Sequence, residues 1–265
     1  MSVLLQVSDP HFGTERAPVV EALVALAQRE RPALVVLSGD ITQRARPAQF
    51  RAARAFADRL GAPLLAIPGN HDLPLFDLLT RMLRPYARYR AAFGEALEPV
   101  FASDDWLVIG VNTTRPARHA NGQVDAVQVD RVAARLASAT PAQLRVVVVH
   151  QPAAVLRAED EHDRLIGHAE ALARWSAAGA DVVMGGHIHL PYVLLVAGVT
   201  RPLWVVQAGT AVSERVRDGA PNSVNLLRWD GRGVQVEQWD CPADGPAFVR
   251  GTVTALAPAR GARER

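Results

Sequence analysis

The sequence predicts an α/β fold: a parallel sheet covered by helices, followed by a set of antiparallel strands. Three observations predict it. Short apolar runs without alternation recur up to His189, as strands buried on both faces require. Segments with apolar residues at helical spacing lie between them. After His189 the long helical segments end and strand follows strand across turns.

Residues 3–7 form the first apolar strand. Over 18–29, Val20, Leu23, Val24 and Ala27 share one helical face, and Pro18 suits a first turn. A strand at 34–37, a helix at 47–60 and a strand at 64–67 complete a β-α-β-α-β opening. Residues 74–93 then break the pattern as an amphipathic helical insertion, apolar at Leu75, Leu79, Met82, Leu83 and Tyr86 and basic at Arg81, Arg84, Arg88 and Arg90. Strand, helix and strand resume at 106–111, 127–139 and 144–149, and a helix at 168–178 leads to a strand at 181–184. Strands at 192–196, 203–206, 223–229 and 233–239 follow, and are expected to form a second sheet packed on the first.

Composition sets bounds. With 265 residues, 49% hydrophobic and 21% charged, the chain can bury the core of one soluble domain. That domain is expected to span 1–253, with 74–93 as a helical cap insertion and 254–265 as a flexible tail. The net charge of +2 and the lack of a basic run give no sign of nucleic-acid binding. All 29 basic residues are arginine, so any phosphate contact would come from planar guanidinium groups. Cys241 is the single cysteine and has no intrachain partner. No run approaches the ~18 apolar residues of a spanning helix, and a cytoplasmic protein is expected. Nothing in the sequence specifies an oligomeric state.

Five short polar motifs stand where strands should end: Asp9-Pro10-His11, Gly39-Asp40, Gly69-Asn70-His71-Asp72, His150 and Gly186-His187-Ile188-His189. Ligands of open α/β sheets bind outside the carboxyl ends of the strands, so these scattered residues should meet at one rim. Their mixed nitrogen and oxygen donors suit Mn, Fe, Zn or Co better than Mg or Ca. By count, Asp9, His11 and His189 serve one ion, and Asn70, His150 and His187 the other. Asp40 is the candidate bridge between ions ~3.5–4 Å apart. Such a centre is net positive, attracts a phosphodiester anion and activates a water as nucleophile. His71, surplus to the count, is assigned to the leaving-group side as proton donor or hydrogen bond, with Asp72 orienting its ring. Asn112 follows the strand at 106–111 and is a candidate pocket residue, and Arg215 and Arg217 are candidates to contact substrate. His119, His162 and His168 are expected to be surface or capping residues.

The motif set, in this order and spacing, resembles the calcineurin-like metallophosphoesterase superfamily, and most of all its bacterial class III cyclic nucleotide phosphodiesterases. The likeness runs from residue 3 to about 190 and continues through Gln207-Ala208-Gly209-Thr210. It implies a four-layer α/β/β/α sandwich of two mixed sheets flanked by helices, two divalent metal ions in the ligand roles above, and hydrolysis of a small-molecule phosphodiester. One departure is Gln151-Pro152 after His150, where relatives commonly have Pro-Pro. Two other readings stand beside cyclic nucleotide hydrolysis. The amphipathic insertion motivates a pyrophosphohydrolase of a nucleotide-diphospho-lipid or sugar, of UDP-diacylglucosamine type, with peripheral membrane contact. A non-catalytic metal-binding interaction protein is the third, and the full ligand set speaks against it.

Overall fold

The structure, a computed structural model, describes every residue except 218, 244, 246 and 259–265. The opening unit is β1 (Ser2–Val7), α1 (Ala17–Glu30), β2 (Leu34–Ser38), α2 (Pro47–Arg59) and β3 (Leu64–Ile67). Prolines begin both helices, at positions where no backbone donor is needed. Next come α3 (Leu78–Leu83), α4 (Ala87–Phe93), β4 (Val100–Ala102) and β5 (Trp106–Gly110). Then follow α5 (Ala126–Ala137), β6 (Leu144–Val148), α6 (His168–Ala177) and β7 (Val182–Gly185). Asp125 caps α5 by accepting from Gln128 N at 2.9 Å, and the Gln128 side chain returns the bond to Asp125 N. The remaining strands are β8 (Tyr192–Leu195), β9 (Trp204–Gln207), β10 (Asn222–Trp229), β11 (Val234–Cys241) and β12 (Val249–Leu256).

Two six-stranded mixed sheets result, ordered β12-β11-β10-β1-β2-β3 and β4-β5-β6-β7-β9-β8. They face each other across a core that includes Leu4, Val36, Ile67, Trp106, Val146, Met184 and Trp229. The outer face of the first sheet packs on α1 and α2 through Leu5, Val35, Leu23 and Phe50. The outer face of the second packs on α5 and α6 through Val147, Val183, Val132 and Trp175. These are the four layers α/β/β/α. β2, β5 and β7 are buried along their whole length, which is why their sequences are apolar without alternation.

The late strands are divided between the sheets, contrary to the expectation that they make a sheet of their own. β10 pairs antiparallel with β1, setting Leu5 opposite Leu226, and β11 and β12 extend that sheet. β9 instead runs parallel to β7, with Val183 opposite Val205, and β8 closes the edge. β12 pairs Val234 with Leu256, so ordered strand continues past residue 254, where the tail was expected to start. Residues 259–265 of that expected tail lie outside the described residues.

The 74–93 insertion is two short helices of opposite character. α4 packs inward: Tyr89 is buried near Phe50 and Phe93, and its hydroxyl donates to Ala66 O at 2.7 Å. α3 has no buried residue. Its apolar side chains face outward, while Arg81 turns in to the protein body. Among the described residues, no helix is long and apolar enough to cross a membrane.

Candidate metal centre

The loops after β1, β2, β3, β6 and β7 meet at one rim, as the motif placement predicts. Backbone bonds stitch them together: Asp9 N donates to Gly39 O at 3.1 Å, and Gly186 N donates to His150 O at 2.8 Å. His150, from the second sheet, reaches across to the first, where Nδ1–H donates to Ser38 O at 2.9 Å. Two glycines allow this crowding. Gly39 has φ +98°, and a side chain there would collide with the His150 ring. A Cβ on Gly186 would strike Ser8 and the Asp9 carboxylate. Asp9, His11, Asp40, His187 and His189 all have positive φ, a strained conformation for non-glycine residues that clusters at functional sites.

Three side chains define the first position. His11 Nε2 and His189 Nε2 point at each other across 3.2 Å, and Asp9 Oδ1 lies 3.4 Å from His189 Nε2. Asp9 Oδ2 is occupied by Ser8 Oγ at 2.7 Å and His187 N at 3.0 Å, whereas Oδ1 is buried without a hydrogen-bond partner. The second position is set by His150 Nε2, 3.2 Å from both Asp40 Oδ1 and Asn70 Oδ1. His187 joins it, with ligand atoms of Asp40, His150 and His187 all within 4.8 Å of one another. His187 Nδ1 is also buried without a partner. Asp40 lies between the two positions, with Oδ1 toward His150 and Oδ2 3.8 Å from His11 Nε2.

Buried acceptors without donors, and imidazole nitrogens turned toward carboxylates, fit a pair of divalent cations with nitrogen and oxygen ligands. The electrostatics agree. Burial alone would push Asp9 up, but contact with His189 and the charges of His189 and His150 bring it down to about 2. Burial also opposes a charged His150, but Asp40 and Asp9 beside it raise its pKa to about 9. Burial drives His11 down to about 3 against the pull of Asp40 and Asp9. Asp9 is thus held toward its charged form and His150 toward its cationic form, and a divalent ion bound here would displace the His150 proton.

His71 lies at the rim of this cluster without joining it. Its backbone N donates to Asp40 Oδ1 at 2.8 Å. Its ring Nδ1–H donates to Gln43 O at 2.9 Å, and its Nε2 accepts from Arg215 Nη1 at 3.2 Å. The ring is near enough to His11 and Asp40 to serve as a ligand, but both its nitrogens are engaged elsewhere. Arg215 also donates to Gln43 Oε1 at 3.1 Å.

Three residues expected at the site have their side chains engaged elsewhere. Asp72 does not orient the His71 ring. Its carboxylate turns into the body, accepting from Gly69 N, Ile41 N, Thr42 N and Thr42 Oγ1 at 2.8–3.0 Å. Neighbouring residues in a 3-10 turn point about 120° apart, so His71 and Asp72 diverge. Burial, with the Asp40 charge added, raises Asp72 to about 6. Arg217 is committed to Asp160 at 2.8 Å and Glu159 at 2.7 Å, which ties its loop to the 158–163 turn. Asn112 closes a local turn, with Oδ1 accepting from Thr114 N and Thr114 Oγ1, and it lines a groove with Glu98 and Arg131 away from the centre.

Gln43 and Asp163, which no motif marks, adjoin the site, as does His119, which is exposed as expected. Gln43 positions both His71 and Arg215. Asp163 Oδ1 stands 3.7 Å from His187 Nε2, on the side away from the unpaired Nδ1. His119 lines the cleft beside Asn70, His71 and Leu75. Its loop is braced by the departure residue Gln151, which accepts from Thr113 Oγ1 and donates to Ala120 O. No local pattern marks Gln43, Asp163 or His119, because each reaches the site from a separate loop.

The chain belongs to the calcineurin-like phosphoesterase family, whose model matches residues 2–191. It is 29% identical over 252 residues to a cAMP/cGMP dual specificity phosphodiesterase of Mycobacterium tuberculosis, covering 82% of this chain and 73% of that protein. It is 28% identical over 158 residues to a probable cyclic nucleotide phosphodiesterase of a Synechococcus species, covering 56% of this chain and only 57% of that relative. Among solved structures, a dimetal phosphatase from Danio rerio superposes with a TM-score of 0.72 over 97% of this chain and 99% of that one. At 13% identity that likeness concerns the fold.

Proposed function

We propose that the chain is a dinuclear metal-dependent phosphodiester hydrolase acting on 3′,5′-cyclic nucleotides. The observation that carries the reaction class is the Asp40 carboxylate set between two groups of ligands, Asp9, His11 and His189 on one side and Asn70, His150 and His187 on the other. The names of the Mycobacterium and Synechococcus relatives support the substrate. Mn, Fe, Zn and Co all suit this donor set. When bound, the ions supply Lewis acidity and an activated water.

The chain's own residues do the rest. Ser8 and His187 N hold Asp9 Oδ2, so that Oδ1 faces the first ion position. Ser38 O holds the His150 tautomer with Nε2 free to ligate. His71 gives its Nδ1–H to Gln43 O and presents Nε2 as an acceptor. The group that donates toward a leaving oxygen is therefore the Arg215 guanidinium, and His71 and Gln43 hold it in place. Buried Cys241, the single cysteine, fits a reducing compartment, and this reading places the enzyme in the cytoplasm.

The outward apolar face of α3 favours a second reading, a pyrophosphohydrolase of a nucleotide-diphospho-lipid. A panel of cyclic AMP, cyclic GMP, glycerophosphodiesters, UDP-linked lipids, and aryl mono- and diesters with metal-loaded protein decides between them. Preferred turnover of cyclic nucleotides, and of aryl diesters over monoesters, is expected. Inertness toward every phosphodiester would overturn the first reading, and exclusive turnover of the UDP-lipid would install the second.

A further inference from the structure

We propose that the outward apolar side chains of α3 dock the protein on an anionic lipid bilayer, bringing the cleft beside His71 to the membrane surface. This goes beyond the catalytic reading and holds whichever phosphodiester is cleaved. α3 is oriented inside out. Phe76 just before it and Leu78, Leu79, Met82 and Leu83 within it are 73%, 66%, 70%, 80% and 70% exposed. Its arginine is the inward residue: Arg81 donates to Pro116 O at 2.8 Å, Arg118 O at 2.7 Å and Pro74 O at 3.2 Å. Those bonds set the helix orientation, because rolling the apolar face inward would break all three hydrogen bonds of this half-buried guanidinium. A contiguous apolar patch in water calls for a partner.

Charge selects the occupant. Residues 74–93 hold four arginines and one aspartate, a net of +3, while the whole chain carries +2. Within that segment Arg88 is paired with Asp77 at 2.6 Å and Arg90 with Glu95 at 3.6 Å, while Arg84 is exposed beside Leu83. Arg44, also exposed, stands over the Phe76 ring at 5.2 Å, and exposed Arg118 holds Arg81 through its carbonyl. Apolar side chains interleaved with guanidinium groups match an anionic membrane, where acyl chains take the former and headgroup phosphates the latter. A second copy of the same face would instead oppose like charges. The patch is also continuous with the active cleft, since Leu75 lines that cleft with His71 and His119.

The test is co-sedimentation of the full chain with vesicles of phosphatidylcholine and phosphatidylglycerol at 3:1, against pure phosphatidylcholine. A variant carrying Phe76→Ser, Leu79→Ser and Met82→Ser is compared with the unaltered chain. The unaltered chain should pellet with anionic vesicles, less so at high salt and least with pure phosphatidylcholine. The triple variant should lose about tenfold or more in partitioning. Its circular dichroism, metal content and hydrolysis of a soluble aryl phosphodiester should match the unaltered chain, because these side chains make no core contact. An unaltered chain left in the supernatant overturns the proposal, and so does a triple variant that pellets equally well. A dimer by light scattering that the variant converts to monomer, with no vesicle binding, also overturns it and assigns the patch to self-association.

Discussion

His71→Ala separates a ligand from a residue that positions Arg215. The ring is held by Gln43 O and bonded to Arg215, so its removal should leave two ions per chain and cost turnover alone. A hydrogen bond to a charged group contributes about 1.5–3 kcal/mol. Arg215 keeps a second anchor in Gln43 Oε1 at 3.1 Å, which places the loss at the low end. The expected fall in kcat/KM is roughly ten- to thirtyfold, smaller than the ~10²–10⁴ of a lost proton donor. The assay is hydrolysis of bis(p-nitrophenyl) phosphate, with elemental analysis of the same samples. Arg215→Ala should cost more, and the double variant should be no worse than Arg215→Ala, because His71 acts through that guanidinium. Loss of an ion from His71→Ala would make the ring a ligand. A drop beyond about 10²-fold would restore it as proton donor, and strictly additive effects would break the link to Arg215.

Three further outcomes are expected. Asp40→Asn keeps the shape of the bridge and removes its charge. Loss of a residue behind a ligand already costs about 10–100-fold in metal affinity, so this change should exceed that and leave at most one ion per chain by elemental analysis. Exhaustive chelation should lower the melting temperature, because an ion at 100 times its Kd contributes about 2.7 kcal/mol, or about 5–10 °C for a chain of this size; an unchanged transition would mean that no ion was held. Glu237→Gln should cost about 1–3 kcal/mol at pH 7 in urea unfolding, since Glu237 is buried and accepts from Trp239 and pairs with Arg228 at 3.0 Å. Burial would raise the Glu237 pKa, but the bonds from Arg228 and Trp239 lower it below the ordinary 4.5. A lowered carboxylate pKa stabilises above the unfolded value and ceases to as pH falls through the folded one, so the gap between unaltered and variant protein should close below pH 4.5. A gap that widens in acid would refute the pairing.

Much of the site was legible because its cause is local. A strand buried on both faces is apolar without alternation, and a polar residue just beyond its carboxyl end must stand at the rim. That rule puts Asp9, Asp40, Asn70, His150, His187 and His189 at the rim as candidate ligands. Where the outcome depends on side-chain direction or a distant partner, local pattern failed. Asp72 adjoins His71 in sequence but binds Ile41 and Thr42 backbone, and Arg217 sits two residues from Arg215 yet is claimed by Asp160. Gln43, Asp163 and His119 carry no motif, and only the meeting of three loops gives them a place at the site.

The sheets show the same division. Strand and helix positions follow from the period of apolar residues, which needs no knowledge of the rest of the chain. The partner of each strand does not. β9 and β10 are neighbours in sequence, yet β10 pairs with β1 and β9 with β7. The period of α3 likewise shows that it has two faces without saying which turns inward. Arg81 resolves that through carbonyls of a loop some 35 residues on. Pairing energy and the hydrogen bonding of polar side chains are properties of surfaces that meet only after the chain has closed on itself, so those choices appear in three dimensions and not along the chain.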